Sequence, residues 1–235
     1  MKNEKSKFLV PQCLSALAPS KKSAFTLAEV LITLAIIGVV AAMTIPTLIS
    51  DYKEKATITK VKTFYSLLSQ TIALSEVDNG PTATWTFSDV NEFANYITPY
   101  LKITRDCGQD SGCISSDVYK RLNGEDHTSY DTSNRYYKIL LTNGMSVWFR
   151  IKDDPTNNDG EDLVGTFWLD INGKNAPNQI GVDTFTFTAL KDKGVVPDRG
   201  DSCYINDKGF GCAAYILKYE NMDYPTKEIE EEVEE

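Results

Sequence analysis

The amino-acid sequence predicts an α+β fold, in which a long N-terminal helix with a transmembrane first half packs on a small antiparallel β-sheet. Three observations support this prediction. An apolar run extends from Phe25 to Ile45, an amphipathic helical pattern continues to Val77, and β-rich runs separated by turn residues follow Pro81. The 235 residues, 42% of them hydrophobic, can form one ordinary globular domain beside this helix.

Charge is unevenly distributed along the chain. The formal net charge is −9, but residues 1–24 hold five lysines and one acid, so 19 basic and 32 acidic residues make up the rest. An acidic body repels phosphate backbones, which disfavours a general nucleic-acid-binding surface and leaves only a local basic patch open. The last residues, 227–235, read KEIEEEVEE, and we expect a solvated acidic tail there.

The apolar run from Phe25 to Ile45 has 21 residues and a single charge, Glu29. This is about the length that a helix needs to cross a bilayer. A secretory signal peptide with a cleavage site near residues 41–42 is the competing interpretation. A carboxylate in lipid is unfavourable unless it is paired, so Glu29 suggests that the segment is retained and the acid is used. Lys21 and Lys22 place the preceding end in the cytoplasm and the rest of the chain outside.

The segment KKSAFTLAEVLITLAIIGVVAAMTIP resembles the N-terminal cleavage and methylation segment of type IV prepilins and type II secretion pseudopilins. In that family a peptidase cuts before the phenylalanine of an F-T-L-x-E run. The resemblance implies cleavage between Ala24 and Phe25 and N-methylation of Phe25, and it makes Glu29 the family's fifth-position glutamate. Gly38 and Pro46 fall where pilins carry helix-softening residues. The family usually has glycine before the cut, so Ala24 predicts slower processing rather than none.

The physical role that the resemblance implies for Glu29 is to set the register of assembly. In a bundle of apolar helices its carboxylate can pair with the α-ammonium group of Phe25 on a neighbouring subunit, and each charge offsets the desolvation of the other. The alternative is an ordinary membrane anchor with an incidental acid. That alternative explains neither the leader nor the position of Glu29.

The chain is expected to divide into a leader (1–24), a membrane and assembly half of the helix (25–45), an amphipathic half (46–77), a globular pilin-like domain (78–226) and the tail (227–235). Bending or local melting is expected at Gly38 and Pro46. The amphipathic half should pack on the domain through apolar residues at steps of three and four: Ile58, Val61, Tyr65, Leu68 and Ile72.

Turn and strand signals dominate after residue 77. Asp78-Asn79-Gly80-Pro81 predicts the end of the long helix, and Ser88 is expected to cap a short helix that Pro99 ends. Asn143-Gly144 predicts a hairpin turn. The predicted strands are Tyr136–Thr142, Met145–Ile151, Gly165–Ile171, Thr184–Leu190 and, at the end of the domain, Ala214–Tyr219.

Cys107, Cys113, Cys203 and Cys212 fall in two short pairs in polar segments. We expect two disulfides, and short loops favour the two local pairings among three connectivities. Zinc binding is the alternative. It is disfavoured because neither spacing matches a zinc knuckle and the only histidine, His127, lies near neither pair.

Two acidic loops are candidate cation sites. The loop with Asp170, Asn172, Asn178 and Asp183 joins two predicted strands and is similar to the C-terminal loops in which major pseudopilins hold calcium, so Ca²⁺ is a candidate cofactor. The second candidate, residues 153–162, fails as an EF-hand because proline stands where the first ligand should be. Ordinary turns have the same composition, and both loops stay open to that interpretation.

The sequence contains no pattern that predicts an enzyme. His127 stands alone in a polar stretch, which is typical of a surface histidine. Trp85, Trp148 and Trp168 are expected in the core or on a sheet face rather than in a ligand platform.

The leading hypothesis is a structural subunit of a type IV pilus or a type II secretion-like pseudopilus. Its expected partners are the prepilin peptidase and methyltransferase, the membrane and other pilin subunits, first in the cytoplasmic membrane and then in a periplasmic or surface fibre. The alternative is a minor tip pilin that binds a surface, a secreted substrate or DNA during uptake. A membrane-tethered exoenzyme is a third class, which would need a recognisable catalytic constellation.

Overall fold

A computed structural model describes residues 25–151, 162–191, 193–200 and 203–226. The chain divides into two compact units, residues 1–48 and 49–235, and helix α1 (Leu27–Asn79) contributes to both. The predicted leader, including Ala24, lies outside the described residues. The predicted acidic tail and residues 153–161 of the second candidate cation loop also lie outside them.

The described part of the first unit is residues 25–48, most of which belong to α1. An 18-residue window of the helix has a mean hydropathy of 2.3 and none of it is buried. By length and composition this segment is apolar enough to cross a membrane. Helix α1 continues through Gly38 and Pro46, without the local melting that these residues suggested.

In the second unit, the remainder of α1 buries one face against the domain. The buried residues follow the helical period and include the fully covered Phe64, whose ring lies 5.4 Å from that of Phe187. Tyr65, which the sequence placed on this face, is only partly buried, and Phe64 is buried beside it. The helix ends at Asn79 because Gly80 adopts a positive φ of 82°.

The domain is built on a six-stranded antiparallel sheet with the order β1-β4-β5-β6-β7-β8, and β2 and β3 form a separate two-stranded sheet. This confirms the predicted α+β fold of a long helix on an antiparallel sheet. The strands are β1 (Ile103–Gly108), β2 (Tyr119–Lys120), β3 (Asp126–Thr128), β4 (Tyr137–Leu141), β5 (Ser146–Arg150), β6 (Leu163–Asp170), β7 (Thr184–Leu190) and β8 (Gly194–Pro197).

The predicted Asn143-Gly144 turn joins β4 to β5. Gly144 has a φ of 83°, a conformation that glycine adopts without strain, and the flanking Leu141 N–H donates to the Met145 carbonyl at 2.9 Å. Pairing of Ile139 with Val147 then fixes the register of the two strands.

The two faces of the sheet have different chemistry because side chains alternate along each strand. The inner face, toward α1, is apolar and contains Phe149, Phe167 and Phe187. The outer face contains Arg150, a row of threonines in β6 and β7, and tryptophans.

Part of the outer face is covered by the long connection between β1 and β4. It forms a second hydrophobic cluster, which we call the outer cluster: Ile114, Tyr119, Tyr130, Trp148 and Trp168. The Tyr119 and Tyr130 rings lie 5.2 Å and 5.0 Å from Trp148. The predicted placement of Trp148 and Trp168 on a sheet face is therefore observed, and Trp85 is buried in the main core.

The predicted last strand, Ala214–Tyr219, is wrong, since these residues lie in helix α3 (Cys212–Tyr219). Its buried residues, Cys212, Ala213 and Ile216, recur at a helical spacing that a short apolar run does not distinguish from a buried strand. The short helix after the long one is α2 (Val90–Ile97), and its N-cap is Asp89 rather than Ser88.

Candidate functional site

The start of α1 is held by a capping box that involves the predicted assembly residue Glu29. Its Oε2 accepts hydrogen bonds from the Thr26 N–H at 2.8 Å and the Thr26 hydroxyl at 2.9 Å, and the Glu29 N–H donates to the same hydroxyl at 3.2 Å. This reciprocal pattern satisfies N–H groups that a helix start leaves unpaired. The carboxylate thus has a partner within its own chain before any neighbour is present.

Phe25 and the apolar half of α1 are open to solvent in the isolated chain. The Phe25 side chain is 85% exposed, and apolar residues such as Leu31, Ile37 and Met43 are exposed along the same stretch. Among the described residues, nothing apart from the neighbouring turns of the helix itself lies within 4 Å of the position that a Cβ atom on Gly38 would occupy. A continuous apolar surface of this kind requires a membrane or neighbouring helices to cover it.

Two disulfides close short loops in the domain. Cys107 bonds Cys113 and Cys203 bonds Cys212, with Cα–Cα distances of 6.0 Å and 4.8 Å. These are the local pairings that the spacing favoured. The fully buried Lys138 donates from Nζ to the Gln109 carbonyl at 2.6 Å, inside the first disulfide loop.

The four predicted calcium ligands lie together at one end of the outer face. Asp183 Oδ2 accepts from the Asn178 N–H at 2.9 Å and from Asn172 Nδ2 at 3.1 Å, and the Asn172 N–H donates to Asp170 Oδ1 at 3.1 Å. Tyr119, which the sequence did not indicate, donates its hydroxyl to Asp170 Oδ2 at 3.0 Å.

Both carboxyl groups of this cluster hold their protons more tightly than usual. Burial, followed by the charge of Asp183, raises the pKa of Asp170 to about 8. Burial also raises the pKa of Asp183, although N–H donors from Gln179 and Asn178 oppose the shift. Burial and the neighbouring charge of Asp183 therefore favour the protonated form of Asp170.

The donor set of the cluster fits a hard cation. The side-chain oxygens of Asn172 and Asn178 are buried, and neither has a hydrogen-bond partner in the part of the chain that the structure describes. Carboxylate and amide oxygens are the ligands that Ca²⁺ takes. The cluster has two acids, and among the described residues no three His, Cys, Asp or Glu side chains gather at a metal-binding spacing.

A cleft of about 1030 Å³ opens at the other end of the outer face. It lies between β5–β7, the strand β3 and the segment that leads into α3. Arg150 Cζ lies 5.7 Å from the ring centres of both Tyr136 and Trp168, and Arg199 Cζ lies 5.1 Å from that of Phe210. Each distance is within the range of a cation–π contact.

His127 lies in this cleft and not on an open surface as the sequence suggested. Its ring is half-buried and lies 5.9 Å from that of Tyr130 and 5.5 Å from that of Phe210. Burial lowers the pKa of His127, and the charges of Arg121 and Lys208 lower it further. The imidazole is therefore neutral at pH 7 and reports a positive local potential.

Two family models match the sequence, and together they span most of it. A family of unknown function, DUF6613, matches residues 47–227, and the prokaryotic N-terminal methylation motif matches residues 19–45. The chain belongs to the DUF6613 family. Its methylation motif confirms the resemblance to type IV prepilins and pseudopilins and marks the chain as a pilin-like substrate of prepilin peptidase. No curated protein and no solved structure matches the chain.

The boundary between the two matches separates two kinds of candidate site. The methylation motif contains Phe25 and Glu29, whereas the DUF6613 region contains the Asp170–Asp183 cluster, the cleft and both disulfides. The T-x-x-E spacing of Thr26 and Glu29 was a readable capping signal that our sequence analysis missed. The cleft had no local signal, since its residues come from distant segments.

Proposed function

We propose that the mature chain, beginning at Phe25, is a structural subunit of a type IV pilus or a type II secretion-like pseudopilus. In this proposal the peptidase removes the leader 1–24. Residues 25–45 anchor the subunit in the cytoplasmic membrane and later pack with other subunits, residues 46–77 carry the domain 78–226 outside the membrane, and residues 227–235 form a tail. The proposal assigns no reaction to the chain.

The observation that carries this proposal is the unburied apolar half of α1 behind a prepilin-type motif. Its large apolar side chains are exposed among the described residues, so in this proposal a membrane covers them first and other helices cover them after extraction. Glu29 supports the second step. Within such a bundle its carboxylate can exchange the Thr26 donors for the α-ammonium group of Phe25 on a neighbouring subunit, which would fix the axial register.

N-terminal mass spectrometry on membrane and sheared-surface fractions of the native host tests the processing step. The expected chain begins at Phe25 with one added methyl group and is found in the sheared fraction. A chain that begins after residue 42, or that always retains Met1, would contradict the proposal.

A matched pair of variants tests the register role of Glu29. Glu29→Gln leaves an ammonium group unpaired among apolar helices, so the chain should insert in the membrane but be missing from fibres. Thr26→Val removes the capping hydroxyl and keeps the carboxylate, and it should still assemble. Equal loss of assembly in both variants would show that Glu29 acts only as a helix cap.

The alternative function is a minor tip pilin that acts as a binding module for a surface, a secreted substrate or DNA. The cleft favours this alternative, since a shaft subunit has no need of a cationic aromatic pocket. Quantitative mass spectrometry of sheared fibres separates the two: a shaft subunit dominates the fibre protein, whereas a tip subunit is a trace component.

Calcium binding by Asp170, Asn172, Asn178 and Asp183 is a further part of the proposal. Ca²⁺ would satisfy the two buried amide oxygens and neutralise the paired carboxyl groups, which would stiffen the loop between β6 and β7. Thermal unfolding of the chelator-treated protein should shift upward with added Ca²⁺, and Asp183→Asn should abolish the shift. An unchanged melting temperature in millimolar Ca²⁺ would contradict calcium binding.

A further inference from the structure

The cleft on the outer face is positively charged on an acidic protein. Its lining contains four cationic side chains, Arg121, Arg150, Arg199 and Lys208, and two carboxylates. Apart from the leader, the chain has 19 basic and 32 acidic residues, so four cations at one pocket stand against the general trend. A positive pocket in a negative body concentrates small or locally anionic ligands and repels long polyanions.

Two of these cations present buried donors that the described part of the protein does not use. The Nε atoms of Arg121 and Arg150 are both buried without a hydrogen-bond partner among the described residues. Arg121 is fixed by its Nη1 contact with Glu125 at 2.9 Å, and Arg150 is fixed against the Tyr136 and Trp168 rings. An unused buried N–H is costly, and an oxyanion is the group that would satisfy it.

The rest of the lining selects among anions. Thr166 and Thr188 contribute hydroxyl groups from adjacent strands, and Asp198 and Asp207 contribute carboxylates. Carboxylates beside the cations would repel a ligand that carries several phosphate groups, but they can accept hydrogen bonds from ligand hydroxyls. Phe210 lines the cleft beside Arg199, whose Cζ lies 5.1 Å from its ring centre, so a sugar ring can lie against the part of Phe210 that faces the cleft.

We infer that the cleft binds an acidic saccharide, a carboxylate-bearing sugar residue within a glycan. Arg150 and Arg199 hold the sugar carboxylate, the threonine hydroxyls and the two aspartates pair with sugar hydroxyls, and the sugar ring lies against Phe210. The volume of about 1030 Å³ is enough for more than one sugar residue. This inference names the class of ligand for the alternative function, the minor tip pilin. It rests on that function only for the claim that the cleft is displayed at the fibre tip.

Titration of the purified mature chain, in detergent, with oligouronates from alginate tests the inference by calorimetry and by tryptophan fluorescence, since Trp168 lines the cleft. The wild type should bind these oligomers and should not bind neutral cello-oligosaccharides of the same length. Arg150→Gln and Arg199→Gln should each weaken binding about tenfold or more, because each loses a charge-assisted hydrogen bond. Lys174→Gln, at an exposed turn, is the matched control and should bind as the wild type does.

Three results would overturn the inference: no binding of oligouronates, equal binding of the neutral oligomers, or wild-type affinity in both arginine variants when near-ultraviolet circular dichroism shows them folded. Tighter binding of a single-stranded oligodeoxynucleotide would also overturn it in favour of nucleic acid. A free uronate that binds as tightly as the oligomer would identify a soluble sugar as the source. Fibre assembly is measured separately, so failure here leaves the structural role untouched.

Discussion

The buried carboxyl group of Asp170 predicts an unusual dependence of stability on pH. The side chain is 0% exposed, and its pKa is raised to about 8 by burial and by the charge of Asp183. The folded protein therefore holds a proton that the unfolded chain releases above about pH 4. Between these two values Asp170 makes the free energy of unfolding fall as pH rises, and this one group contributes at most about 1.4 kcal/mol per pH unit.

Asp170→Asn should remove the Asp170 part of this dependence and leave only the slope that Asp183 contributes, since burial raises the pKa of Asp183 as well. The neutral amide can accept from the Asn172 N–H through its oxygen, and its Nδ2 can donate to the Tyr119 oxygen, which reverses the direction of the Tyr119–Asp170 hydrogen bond without leaving either group unpaired. Both proteins should have similar stability near pH 4. At pH 8 the variant should be more stable, with a shift of about 4 pKa units setting an upper limit of about 5–6 kcal/mol.

Urea unfolding in detergent with excess chelator, followed by tryptophan fluorescence from pH 4 to 9, measures this difference. Asp117→Asn, at an exposed carboxylate, is the control and should leave the wild-type slope unchanged. A wild type whose stability is flat between pH 5 and 8 would refute the reasoning, as would an Asp170→Asn variant with the wild-type slope. With excess Ca²⁺ the slope should reverse, because binding of the cation displaces the proton.

Two further predictions concern packing and covalent closure of the domain. Gly165→Ala would place a methyl carbon 2.5 Å from the buried Phe93 ring and 3.1 Å from the Arg150 carbonyl. The clash should lower the free energy of unfolding in urea by about 1–3 kcal/mol or more. Phe93→Leu in the same chain should recover part of this loss. Replacing both Cys203 and Cys212 by serine should cost about 2–3 kcal/mol by releasing a short loop, measured without reductant, and an unchanged midpoint would contradict this.

The parts of the fold that the sequence predicted are those with a strong local signal. The long helix follows from an apolar run and a helical stripe, and the β4–β5 hairpin follows from Asn143-Gly144. Strand β1 was missed because its sequence, ITRDCG, is polar at the edge of the sheet, where neither face imposes an apolar pattern. Helix α3 was misassigned because a run of six mostly apolar residues fits the helical repeat of buried side chains as well as the strand repeat.

The candidate sites divide in the same way. Asp170, Asn172, Asn178 and Asp183 could be grouped from the sequence because they lie within one loop. Tyr119 could not, since its contact with Asp170 joins residues 51 positions apart. The cleft is the hardest site to predict from sequence, because its residues come together only when the sheet forms. Pairing of Arg150 with Thr166 brings the arginine within 5.7 Å of the Trp168 ring centre.

Because side chains alternate between the two faces of the sheet, residues on one face can be substituted without changing the other face. On β4 to β7 most residues toward α1 carry odd numbers, such as Phe167, and most residues toward the cleft carry even numbers, such as Trp168. The irregular start of β6 is an exception, since Val164 lies in the main core and Leu163 lines the cleft. Substitutions at even positions can therefore change the chemistry of the outer face while the surface that holds the helix stays constant. Insertion or deletion of a single residue within β6 would exchange the two sets at once. Natural variants should accordingly change by substitution within these strands and vary in length only between them.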